Sequence, residues 1–343
     1  MEKKEINDAD MNFKGNSCFI ISLDFELHWG GFEKWNLGAR KNYYLATREI
    51  IPPILKAFER SGVHATWATV GLLLFERKED LINNFPRLKP TYDNIQLSAF
   101  NYILKDKIGS DENSDQFHYG KSLVKKILGA AGQELGSHSF AHYYCNEPGQ
   151  TVEQFKADAL AWNKASTANG YHLKADSLVF PRNQFNNSYL KVCKDVGIKV
   201  VRTNPIDWWW NIQSTANESI WKRFNRGLDA YFDIGGKTSF SLVDIEKREG
   251  VWLLPASRLL RPYNPKELFL NSKKIGRIKK EMTIAAVSNE CYHLWWHPHN
   301  FGNYSRQNLD GLSKILNHYT FLNKKYGMES KNMKELACIL DNA

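Results

Sequence analysis

The chain has 343 residues, 43% hydrophobic and 13% aromatic, and its 46 Lys and Arg outweigh 37 Asp and Glu to give a formal charge of +9. Hydrophobic content in the globular range, at this length, allows a full core, and no uninterrupted apolar run reaches membrane-spanning length. The basic balance favours anionic partners such as phosphorylated glycans or lipid headgroups, while no RNP segment or zinc-finger spacing points to nucleic acid.

In chain order, residues 1–16 are polar and charged, without the apolar stretch of a signal peptide, so the expected location is cytoplasmic, at most on the inner face of a membrane. Residues 18–23 read as a buried strand ended by charge. A helix follows over 47–61, with Gly62 as its stop and Pro52-Pro53 setting its true start. A second strand covers 64–70, with a short helix from Gly71 to Glu76. Residues 83–117 are polar and irregular, an insertion between strands two and three that would flank the site. Residues 122–131 read as helix and 134–137 as a short strand. Thr151 with Gln154 forms a capping box for a helix to about Asn169. Strands at 177–180 and 198–202 bracket a helix at 188–196. Residues 218–228 read as helix and 252–254 as strand, and Asn264-Pro265 opens another helix. A strand at 292–296, a long amphipathic helix at 308–326 and a last helix capped by Ser330 complete the pattern. Strands alternating with helices argue for a parallel α/β architecture, most simply a barrel-like one. The absence of repeats and linkers makes it one domain over residues 1–343, a core of about 18–302 with a helical C-terminal extension.

The cysteines are Cys18, Cys145, Cys193, Cys291 and Cys338. An odd, scattered set without Cys-x-x-Cys fits reduced thiols, with Cys18, Cys145 and Cys291 read as packing residues. The densest basic run is Lys273, Lys274, Arg277, Lys279 and Lys280. Its plain reading is a solvated helix face, and its functional reading is a peripheral contact with lipid phosphates.

The most informative segment is Gly136-Ser137-His138-Ser139-Phe140-Ala141-His142. As one turn of helix, its two histidines would share a face and could grip one metal ion. Ser22-Leu23-Asp24-Phe25-Glu26 lies upstream and Trp295-Trp296-His297-Pro298-His299 downstream, each after a strand-like stretch. Asp24, Glu26, His138, His142, Arg182, Asp207 and His297 all follow predicted strands, and function in parallel α/β folds collects at the carboxyl ends of strands. Each also admits a plainer role: a helix cap for Asp24, a surface carboxylate for Glu26, a salt bridge for Arg182, a turn cap for Asp207. His299, after Pro298, reads as loop, and His28, His64 and His118 as structural. Trp208, Trp209, Trp210, Trp295 and Trp296 read as packing, with one or two free to rim a sugar site.

These motifs, with Ala65-Thr66-Trp67-Ala68-Thr69-Val70-Gly71, resemble the NodB-type polysaccharide deacetylases, metal-dependent carbohydrate esterases, over about residues 18–302. The resemblance implies a distorted, incomplete (β/α) barrel of about seven parallel strands. It also implies that Asp24 is the general base, that Glu26, His138 and His142 bind the metal, and that His297 protonates the leaving group. Asp207-Trp208 is similar to the motif whose aspartate orients that acid. Phe180-Pro181-Arg182-Asn183 stands where the family has Arg-x-Pro-Tyr, with Arg182 to pair with the base and Asn183 in place of the Tyr whose backbone N–H helps hold the oxyanion.

The expected activity is removal of an acetyl group, N-acetyl first, from a sugar of a cell-surface glycan or its lipid- or nucleotide-linked precursor. The expected cofactor is one divalent ion: two His and one carboxylate suit zinc, with cobalt, nickel or iron as alternatives. Two other readings stay open. One is a hydrolase of non-sugar C–N bonds of the cyclic-amide type, and the other is a glycan-binding protein that has lost catalysis.

Overall fold

The computed structural model describes residues 17–205, 208–210, 220–232 and 235–342. Its first half runs β1 (Cys18–Phe25), α1 (Lys41–Ser61), β2 (Ala65–Thr69), α2 (Lys78–Asn83), α3 (Ala99–Leu104), α4 (Lys121–Leu128), β3 (Gln133–Ser137) and α5 (Val152–Ala168). It continues through β4 (Ser177–Val179), α6 (Leu190–Asp195), β5 (Val200–Thr203), α7 (Ile220–Asp229), β6 (Lys247–Arg248), β7 (Val251–Pro255) and β8 (Arg258–Leu259). The last elements are α8 (Leu268–Val287), β9 (Cys291–Trp296), α9 (Ser305–Tyr326), β10 (Glu329–Lys331) and α10 (Met333–Asp341).

The strands form one sheet in the order β6-β7-β5-β4-β3-β2-β1-β9-β8, parallel except for the β6–β7 pair. It does not close, forming the incomplete α/β barrel that the resemblance implies. Among the described residues the sheet has ten strands: the expected seven parallel ones, with β6 and β8 of two residues each and β10 of three added, too short to leave a periodic signal. All eight residues of β1 are buried, because a central parallel strand is covered on both faces and so reads as a continuous apolar run.

Three expectations are corrected. α1 begins at Lys41 and carries both Pro52 and Pro53 inside it. Each proline forfeits a helix hydrogen bond, but burial of Tyr44, Ile50, Ile51, Ile54 and Phe58 against the sheet outweighs that loss. The insertion is not wholly irregular: it contains α3, whose Phe100 packs on Phe85 and Phe140 and so props the histidine segment. Ser330 lies in β10, which pairs with Cys18–Ile20 of β1 while β2 takes the rest of that edge; Asn332, with Glu335, caps α10 instead.

The basic run of α8 splits by helical period. Lys273 and Lys280 are exposed, whereas Lys274 and Arg277 are buried. Arg277 bonds Asp229 and Glu281, and Lys274 Nζ donates to the Pro262 carbonyl. All five cysteines are free. No described helix is long and apolar enough to cross a membrane.

Candidate metal centre

The site stands at the carboxyl ends of β1, β3, β5 and β9. Asp24 lies on β1 and Glu26 just past it; the two-residue spacing turns both carboxylates to one side, and both are buried. A Cβ built on Gly30 would overlap the Glu26 carboxylate, so this glycine makes the room that Glu26 occupies.

After β3 the histidine segment is a loop, not a turn of helix. Ser139 (φ 58°) and His142 (φ 53°) are left-handed, which would break a helix. Side chains replace the helical hydrogen bonds. Asp158 of α5, fully buried, accepts from the Phe140 N–H at 2.6 Å and the Ala141 N–H at 3.0 Å. Ser139 Oγ accepts from the Tyr143 N–H. The loop still brings the imidazoles together: His138 Nε2 and His142 Nε2 lie 3.2 Å and 3.0 Å from Glu26 Oε2.

The outer nitrogens decide what those contacts are. His138 Nδ1 is 2.8 Å from the Val179 carbonyl, which can only accept, so Nδ1 carries a proton, and in the neutral ring Nε2 then has a free lone pair. His142 Nδ1 is held at 2.9 Å by Tyr144 Oη, whose own proton reaches Glu33. Burial pushes the His142 pKa down and favours its neutral ring. Burial opposes ionisation of Glu26, but His297, His138 and His142 outweigh it and hold that carboxyl well below the usual range. Two lone pairs thus aim at one carboxylate oxygen, an arrangement that fits a cation among them. The three ligand atoms lie within 4.8 Å of one another.

The partner of Asp24 is not Arg182. Arg202 of β5 grips it with both prongs, Nη1 to Oδ1 at 2.7 Å and Nη2 to Oδ2 at 2.8 Å, and also reaches Ser22 Oγ and Asn183 Oδ1. Burial works against the Asp24 charge; Arg202, then His297 and His138, more than offset it and lower the pKa. Arg182, with φ 55°, turns away to Glu33 and stacks over the Tyr144 ring at 4.2 Å. The left-handed backbone at Arg182 and Asn183 causes the exchange, since it redirects the side chain that the sequence order places at the base. Arg202 sits inside the strand, where the sequence signal is an arginine directly after Val200 and Val201. The Asn183 N–H is spent on the Phe180 carbonyl. Asp207 lies outside the described residues.

From β9 come two histidines. His297 Nε2 is 3.6 Å from Asp24 Oδ2 and 3.7 Å from Glu26 Oε1. His299, expected in a plain loop, is buried with Nδ1 3.8 Å from Glu26 Oε1. Burial and then the neighbouring His297 push its pKa down to about 3. His28, His64 and His118 lie away from this cluster, with Tyr44, Glu335 and Asp115 as their respective partners. Cys145 is buried and bonds the Gln184 carbonyl. Trp210 meets Trp295 edge-on at 5.9 Å, and Arg202 lies 4.4 Å over Trp295.

Residues 42–201 match the family model described as polysaccharide deacetylase. That segment carries a polysaccharide deacetylase domain. That stretch holds His138 and His142, while Asp24, Glu26, Arg202 and His297 reach the cluster from outside it, so the fold supplies what the match leaves out. Similar solved structures include a candidate polysaccharide deacetylase from Mycobacterium smegmatis, 12% identical, with a TM-score of 0.56 over 96% of this chain and 92% of that one. PuuE allantoinase is 10% identical, with a TM-score of 0.55 over 95% and 90%. A GH57-type branching enzyme from Pyrococcus horikoshii is 11% identical, with a TM-score of 0.51 over 96% and 70%. At such identities these likenesses bear on the fold. No curated protein matches the chain.

Proposed function

We propose that this polysaccharide deacetylase removes an N-acetyl group from a sugar of a cell-surface glycan precursor carried on a lipid or nucleotide phosphate. The observation that carries the reading is the Glu26–His138–His142 triad set beside Asp24–Arg202 and His297. Glu26, His138 and His142 would hold a divalent ion, for which this ligand set favours zinc, with cobalt, nickel or iron as alternatives. When bound, such an ion supplies Lewis acidity and a water of lowered pKa.

The chain's own residues do the rest. Asp24, kept ionised and oriented by Arg202, takes the proton of the attacking water at its Oδ2 edge, the side that faces His297. His297 is the proton donor to the amine nitrogen as the C–N bond breaks. Its ring keeps 26% exposure and lies beside the Asp24 carboxylate. His299 is ill suited to that task, because a ring pushed to about pKa 3 stays neutral. Trp295 and Trp210 would form one wall for the sugar. The charge of +9 suits a phosphate-linked acceptor. We read residues 1–343 as one working unit, a reading supported by the pairing of β10 with β1 and by the Met333 N–H donating to Thr66 Oγ1.

The test is acetate release by the metal-loaded protein across acetylated nucleotide sugars and lipid-linked oligosaccharides. Turnover of at least one phosphate-linked N-acetyl sugar is expected. Turnover only of cyclic amides, or of no substrate with the metal in place, overturns the proposal.

A further inference from the structure

Beyond the catalytic centre, α7 and the start of α8 carry large apolar side chains that stand exposed among the described residues. Trp221 and Phe224, on α7, are 71% and 54% exposed, with their rings edge-on at 6.3 Å. At the start of α8, Leu268 and Phe269 are 67% and 86% exposed, and Phe232 is 49% exposed. Singly exposed apolar residues are ordinary, but a contiguous group marks a contact surface.

These segments are tied into one surface. Tyr231 Oη donates to Glu267 Oε2 at 2.5 Å, joining the end of α7 to the start of α8. Arg261 Nη2 donates to the Arg226 carbonyl on α7 at 2.8 Å. Lys273 Nζ lies 5.3 Å over the Phe232 ring. A cavity of about 430 Å³ adjoins Leu268, with Arg261, Lys274, Lys279 and Lys314 outnumbering Asp310 in its walls.

We infer that α7 and the start of α8 form a docking surface for an anionic lipid bilayer. Charge complementarity selects this occupant. Exposed Lys266 and Lys273 flank Leu268 and Phe269 in sequence, and Lys273 lies over the Phe232 ring, while Glu267 beside Lys266 is already held by Lys274 and Tyr231. Aromatic rings at the headgroup level with lysines beside them are the chemistry of interfacial binding, and each lysine near an anionic surface adds to the attraction. The surface also reaches the site. Arg226 bonds the Trp209 carbonyl and lies 5.3 Å from the Trp210 ring, which meets Trp295 beneath Arg202. Docking would therefore bring the centre to the membrane, and this consequence alone rests on the deacetylase reading.

Co-sedimentation of the full chain with vesicles tests the inference without any turnover. Vesicles with about one third phosphatidylglycerol should bind it, neutral phosphatidylcholine vesicles should bind it much less, and added salt should weaken binding. The exposed positions allow a triple variant, W221S/F224S/F269S, with an unchanged circular dichroism spectrum and melting point; its partition should fall at least about tenfold. Separately, the charge variant K266E/K273E should lose preference for the anionic vesicles. Wild-type-like vesicle binding by the triple variant, or no binding of the native chain to anionic vesicles, overturns the proposal. So does a concentration-dependent dimer, seen by analytical ultracentrifugation, that the triple variant abolishes while the native chain ignores vesicles.

Discussion

Arg202 and Asp24 meet in a two-pronged contact at 2.7 Å and 2.8 Å, both side chains buried, across a sheet in which β5 and β1 are not neighbours. The pair sets the charge and the direction of the carboxylate that faces His297, and it does so from a residue 178 positions away.

Removing the guanidinium should therefore be costly twice over. Arg202→Ala leaves Asp24 buried and unpaired, which should lower stability by about 3–5 kcal/mol and acetate release by about a hundredfold or more. Arg182→Ala, whose partner is Glu33, should stay within about tenfold of wild type. Steady-state rates and thermal melts of the two variants check this. Equal losses would return the base-pairing role to Arg182.

Metal removal should behave reversibly. Chelation should abolish acetate release, and one added divalent ion per chain should restore it. His138→Ala should lose both the ion and the activity, because Glu26 and His142 alone make a two-ligand site. Elemental analysis alongside the rate measurement decides; full turnover by the metal-free variant would discard the assignment of Glu26, His138 and His142.

Gly30→Ala probes Glu26 without touching it. The added methyl would occupy the space of the carboxylate, so metal affinity should drop about 10–100-fold while the melting point moves little. Competition with a chromogenic chelator reads the affinity directly. Unchanged affinity would mean that Glu26 reaches the ion from another direction.

Asp158 gives a pH signature. Burial, only partly opposed by the Phe140 and Ala141 N–H groups, pushes its pKa from 3.8 up to about 7. Between those values the folded chain keeps a proton that the unfolded chain has released. The contribution of this group is thus fully present below pH 3.8 and declines as pH rises toward 7. Asp158→Asn should remove that slope and, by turning one amide nitrogen toward a backbone N–H, cost about 1–3 kcal/mol. Urea unfolding at several pH values is the measurement, and a parallel slope in the variant would exclude Asp158 as its source.

The sequence by itself determined the alternation of strands and helices, the pairing of His138 with His142 as metal-ligand candidates, and the gathering of Asp24, Glu26 and His297 just past strands, while the resemblance implied the roles of those three. These were legible because local rules carry them: apolar runs mark buried strands, and polar residues just past such runs collect at one end of a parallel sheet. Only the tertiary structure decided which arginine serves Asp24, that the histidine loop is left-handed and propped by Asp158, and that His299 is buried beside Glu26. It also carried α1 through Pro52-Pro53 and divided the lysines of α8 between core and surface. The reason is physical: propensity and spacing act over a few residues, whereas a buried charge is satisfied by whichever partner the closing sheet brings within reach, and packing can outweigh a lost hydrogen bond.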